Sequence, residues 1–167
     1  MPVQNPTSSL NSKVSWRVLW FIVVGTALYW VGNATVIYPW IIDRTLGIIA
    51  MMISTLLWAY MAFYCLRHIP KPEWTKYTLL MASMFLVTAV VQDYLLYAVY
   101  RGIADELYVP STFIAYSMTF ILPFIVRLIM RNYQQETILA ISYKKMGIML
   151  LIGVVSFLIT IWSIRYW

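Results

Sequence analysis

Five runs of about 20 mainly apolar residues, each stopped by charge, proline or a polar cluster, constrain this chain more than any other feature. They cover residues 16–37, 45–66, 77–100, 111–130 and 146–164. Wound as helices, runs of that length match the hydrocarbon thickness of a bilayer. A transmembrane barrel instead needs strands of about 9–11 residues with alternating polarity, and these runs are apolar on every face. The expected fold is all-α: a polytopic membrane protein, one bundle of five transmembrane helices across residues 14–167, preceded by a flexible cytoplasmic tail over residues 1–13.

The breaks between runs have local causes. Tyr38, Pro39, Trp40, Asp43 and Arg44 form a short turn after the first run, and Pro70 and Pro72 stop the second by removing backbone donors. Pro110, followed by Ser111 and Thr112, reads as a helix start. The segment Thr137 to Tyr143 either prolongs the fifth helix or lies along the membrane surface. Lys13, Arg17 and Gly32-Asn33-Ala34 imitate a cleaved leader, but the apolar run between them exceeds the usual 7–15 residues, so it is read as a span.

Composition agrees. Only 11% of the 167 residues are charged and 62% are hydrophobic, whereas a soluble domain carries about 25% charge to cover its surface. The net charge of +6 raises the question of nucleic acid, but the basic residues are dispersed between apolar runs rather than gathered on a soluble face. No nucleic-acid partner is expected; the lipid bilayer is. Counting Lys and Arg in alternate loops gives nine on the side of the N-terminal tail (Lys13, Arg17, Arg67, Lys71, Lys76, Arg127, Arg131, Lys144, Lys145) and three opposite (Arg44, Arg101, Arg165). The positive side is cytoplasmic, so the C-terminus is expected outside, in a membrane of the plasma or inner membrane type. Trp16, Trp20, Tyr38, Trp40, Trp74, Tyr77, Tyr100, Tyr108, Tyr166 and Trp167 fall near span ends, where aromatic rings favour the headgroup layer.

Asp93 is the one carboxylate inside a span. At that depth an ionised group costs about 2.5–3.5 kcal/mol even on insertion scales, so it should face the bundle and have a partner. It lies roughly 24 Å along the helix from Tyr77, in the external half. Depth matching brings Asn33, Ser54, Thr55, Ser117, Thr119 and Thr160 to the same level, with Gln92 adjoining and Tyr97 and Tyr100 on the same helix face. Arg101 and Arg44 are the candidate counter-charges. Pro123 should kink the fourth helix and free the Thr119 carbonyl nearby. The expected ligand-binding set is Asp93, Tyr97, Asn33, Gln92, Ser117 and Thr119, and the competing reading is a carboxyl group that only holds helices together.

One histidine and one cysteine cannot furnish a closed zinc site, which needs about four such ligands. No metal or cofactor is expected and no residue is nominated as catalytic. His68, among Arg67 and Lys71, reads as a solvated loop residue, and Asp105 with Glu106 as a solvated pair. The resulting functional expectation is a small membrane binding or carrier protein whose external-half pocket around Asp93 takes a cation, a proton or an amphipathic small molecule. Five spans suit a homodimer or a pairing with another membrane protein, since carriers usually need two halves, although no GxxxG spacing marks a close helix pair. An accessory subunit of a larger complex is the alternative, and a membrane enzyme acting on lipid the third. Cysteine-accessibility labelling at position 9 and after residue 167 should find the two ends on opposite faces; reaction of both from one face would remove the odd number of spans.

Overall fold

Asp43 sets the first corner of the molecule. Its backbone is extended (φ −157°), and its Oδ1 accepts hydrogen bonds from the N–H groups of Thr45 at 2.8 Å and Leu46 at 3.1 Å. These two bonds, Leu46 first, hold its carboxyl below the ordinary aspartate range and satisfy donors that a helix start leaves open. One residue therefore suffices to end helix α1 (Pro6–Ile42) and begin α2 (Arg44–Leu66). The remaining long helices of this computed structural model are α3 (Trp74–Asp93), α4 (Pro110–Ile129) and α5 (Tyr143–Ile164). The structure describes residues 6–165, with side chains from Val14 onward except that of Glu106. Among these residues there is no strand, and five helical segments are long and apolar enough to cross a membrane. The chain is an all-α five-helix bundle of the integral membrane type.

Three boundaries differ from expectation. The segment expected as a flexible tail is helical from Pro6, where proline suits the opening turn because the N–H it lacks would be unpaired there; residues 1–5 lie outside the described set, as do Tyr166 and Trp167. The first helix also runs through Pro39 to Ile42 instead of stopping at Ile37. A proline removes the bond to the residue four before it but leaves the helix after it free to continue, and the Asp43 N–H does bond the Pro39 carbonyl at 2.9 Å. Finally, residues 133–142 do not prolong α5, which starts at Tyr143. They cross the end of the bundle as an extended strap. Gln135 Nε2 donates to the carbonyls of Arg67 (3.2 Å) and Ile69 (3.0 Å), the Leu139 N–H donates to Arg67 (3.0 Å), and Lys71 Nζ donates to Tyr133 (2.8 Å). The strap thereby satisfies carbonyls beyond the end of α2.

Helix α1 is the centre of the packing. It touches α2, α3 and α5, while α4 packs on α3 and α2. Helices α1, α2, α4 and α3 thus close a four-membered ring, and α5 lies outside it along α1. The main core fills the ring near the strap: Trp20, Phe21 and Val24 of α1, Cys65 and Leu66 of α2, and Met81 and Phe85 of α3 are almost completely buried. Trp20, Trp74 and Tyr77, expected at the headgroup layer, belong to this core. The Trp74 indole N–H donates to the Ile69 carbonyl at 3.0 Å, so it does not require the interface to find a partner. Tyr38, Trp40, Tyr100 and Tyr108 are exposed at the opposite end, as expected for a belt.

Close packing of α5 on α1 is achieved without GxxxG. Gly153, Ser156, Thr160 and Ser163 form the buried stripe of α5, and a Cβ at position 153 would stand 3.3 Å from the Ala27 Cα. Small residues at intervals of three and four let the two backbones approach in the same way. Gly153→Leu should therefore push α5 off α1 and destabilise the protein by about 1–3 kcal/mol, read as a lower denaturation midpoint in detergent. Gly147→Leu should leave the midpoint unchanged, because a Cβ at position 147 would meet nothing within 4 Å.

Candidate functional site

Asp93 closes α3 and is followed directly by a π-helical stretch, Tyr94–Tyr100. Such stretches are rare and recur at functional sites. The Arg101 N–H reaches back five residues to the Leu96 carbonyl at 3.0 Å, and the turn ends at Gly102, whose φ of +68° favours glycine.

Two helices bring a tyrosine hydroxyl to the Asp93 carboxylate. From α1, Tyr29 Oη donates to Asp93 Oδ1 at 2.5 Å. From α4, the Tyr116 hydroxyl is turned to the same carboxylate. Tyr97, in the π-helical stretch, lies beside both tyrosines. Asn33 stands one turn beyond Tyr29, donates from Nδ2 to the Tyr29 carbonyl at 3.0 Å and flanks its hydroxyl. Tyr29 is buried, with Trp30 packed edge-on at 4.9 Å, and the Arg101 guanidinium sits 5.6 Å from the Tyr97 ring centre.

Of the residues expected at the site, Asp93, Tyr97 and Asn33 come together. Gln92 is buried on a different side of α3, where its Nε2 donates to the Thr88 carbonyl at 2.9 Å. Ser117 is exposed and Thr119 half-buried. Thr55 is exposed and bonds its own helix at Met51. Tyr29 and Tyr116 are the two members that depth matching overlooks. It compares Cα levels and small polar side chains, whereas a tyrosine ring carries its hydroxyl across more than a turn of neighbouring helix. The available signal is the chain itself: Tyr29 precedes Asn33 by four residues and Tyr116 adjoins Ser117.

Chemically, the cluster is one carboxylate surrounded by hydroxyl donors and aromatic faces. A carboxylate accepts hydrogen bonds and cations, and ring faces attract positive charge through their quadrupoles. Among the described residues no three His, Cys, Asp or Glu side chains lie together as metal ligands.

A second polar group lies at the strap end. His68 is buried, 3% exposed, and not the solvated loop residue expected. Its Nδ1 lies 2.9 Å from the Tyr64 carbonyl, which assigns the proton to that nitrogen, and Lys145 Nζ approaches Nε2 at 3.5 Å. Rings of Trp20 and Tyr64 pack at 5.3 and 4.8 Å. Lys145 Nζ also donates to the strap's Ala140 carbonyl at 2.8 Å. Burial above all, with Lys145 and Arg67 adding repulsion against the supporting Tyr64 carbonyl, pushes its pKa from 6.5 down to about 4.

No known protein family, curated protein or solved structure matches this chain.

The His68 shift has a sign. Because the folded state holds the neutral ring, its contribution to stability is complete above the unfolded pKa and is lost as pH falls through the folded one. The denaturation midpoint in detergent should drop between about pH 6.5 and 4, by an amount worth about 3 kcal/mol at most, and His68→Gln should flatten that part of the profile. An identical profile in the variant would assign the acid sensitivity elsewhere.

Proposed function

We propose that this chain is a small membrane binding or carrier-type protein that takes a cationic group at Asp93. The observation that carries the reading is a single intramembrane carboxylate met by Tyr29 of α1 and Tyr116 of α4, with Tyr97 beside both tyrosines. Intramembrane acids are costly, and those that persist line binding sites and ion pathways more often than other positions do. Aromatic faces around a carboxylate favour an organic ammonium over a hydrated metal ion, since the rings replace its solvation shell without supplying oxygen ligands.

The nine-to-three split of Lys and Arg supports a cytoplasmic N-terminus. With that orientation the strap and His68 face the cytoplasm, and the Asp93 cluster sits in the external half. A five-span carrier would complete its pathway as a homodimer, since carriers are generally built from two structural halves.

Butylamine binding to the purified chain in nanodiscs tests the reading. Asp93→Asn keeps the shape and loses the charge, so it should keep the fold and weaken binding about tenfold or more. Asp93→Leu should destabilise as well, by about 1–3 kcal/mol, because the Tyr29 hydroxyl loses its acceptor. If Asp93→Asn binds as wild type does, the carboxyl is packing glue and the proposal falls.

A further inference from the structure

The chain's one histidine sits where α2 meets the strap. His68 follows the end of α2 by two residues, and its buried ring packs on Trp20 of α1 and Tyr64 of α2. With the proton on Nδ1, bonded to the Tyr64 carbonyl, Nε2 is an acceptor, and it faces the Lys145 ammonium at 3.5 Å. The same ammonium donates to the Ala140 carbonyl of the strap at 2.8 Å. On either side of Ala140 the strap is tied to the bundle: the Leu139 N–H donates to the Arg67 carbonyl at 3.0 Å, and the Trp16 indole N–H donates to the Ile141 carbonyl at 3.3 Å. A neutral ring thus receives one lysine, and that lysine holds the strap between its two ties.

A proton on Nε2 inverts this contact. The ring then presents a donor and a positive charge to an ammonium that can only donate. The charged groups acting on the ring are Lys145 of α5 and Arg67 beyond α2, both positive. Helix α1 faces it with the Trp20 ring and α2 with the Tyr64 ring, and the hydroxyl of Tyr64 and the thiol of Cys65 stay neutral in acid. Of the nearby carboxylates, Glu73 is bridged to Arg17 at 2.7 Å and Glu136 is exposed on the strap. We propose that protonation of His68 expels the Lys145 ammonium and releases the strap from the end of α2 while the helix bundle stays folded, so that residues 133–142 form an acid-operated flap. The device is separate from the Asp93 site and does not depend on its reading. Opening returns the imidazole to water, where it takes up its proton near pH 6.5, whereas the closed form takes it up only near pH 4. The closed form is therefore fully favoured above the higher value and loses ground as pH falls towards the lower one.

The test is amide hydrogen exchange on the full chain in phosphatidylcholine nanodiscs, each rate being normalised to its intrinsic value at the same pH. The strap, with the Leu139 amide as its reporter, should open about a hundredfold more often at pH 4 than at pH 7, while amides around Met81 and Phe85 in the core of α3 keep their protection. His68→Gln can still donate to the Tyr64 carbonyl and accept from Lys145 but takes up no proton, so its strap should stay closed at both pH values. Lys145→Gln sets an amide oxygen where the ammonium stood, and the rise should shrink. If strap protection is the same at pH 7 and pH 4, if His68→Gln shows the wild-type rise, or if Lys145→Gln leaves the rise undiminished, the flap is overturned. Loss of strap and core protection together would be ordinary acid unfolding and would overturn it too. Should His68→Gln leave the core unprotected at pH 7, the wild-type profile and Lys145→Gln decide by the same criteria.

Discussion

Inside a bilayer a small side chain that donates hydrogen bonds readily finds a carbonyl on its own helix, whereas one that accepts finds no free N–H there. Helix carbonyls have a second lone pair to offer, but every interior N–H is already used. Seven small or amide side chains of this protein follow that rule. Asn33, Thr35, Thr55, Thr78, Thr88, Gln92 and Thr160 each donate to the carbonyl of their own helix four residues earlier. Asp93 has no such recourse. Its carboxylate draws Tyr29 from α1 and Tyr116 from α4, and so a single acceptor ties together three of the four helices in the ring. Asp43 meets the same demand differently, at a helix start where N–H groups are open.

That asymmetry explains what is legible in the sequence. The five spans follow from length and polarity because lipid requires helices to satisfy their own backbones. Asp93 stands out for the same reason, as the acceptor that no helix can satisfy internally. Depth matching then nominates Thr55, Ser117 and Thr119 as partners on level alone, although small hydroxyls are readily absorbed by their own backbones. The donors that do reach Asp93 are tyrosines, whose hydroxyls stand too far from their own helix to bond back to it. An accounting by reach and donor type would favour Tyr29 and Tyr116 over the small residues.

Other features depend on contacts that no local pattern announces. The strap over residues 133–142 carries no helical periodicity, and what orders it is the set of carbonyls beyond α2, distant in sequence. His68 is buried among Trp20, Tyr64 and Lys145, the last held by the strap's Ala140 carbonyl. Charge in the neighbourhood, read from Arg67 and Lys71, points to solvent instead. The π-helical turn after Asp93 is likewise silent in the sequence, since nothing in Tyr94–Tyr100 distinguishes it from an ordinary apolar helix.

The same donor and acceptor balance bears on how a ligand would enter. Tyr29 donates one hydrogen bond to Asp93, and a primary ammonium displacing it would donate one in return and add charge, so the carboxylate never passes through an unpaired state. Exchange of this kind keeps the barrier low in a medium where an unpartnered acceptor costs several kcal/mol.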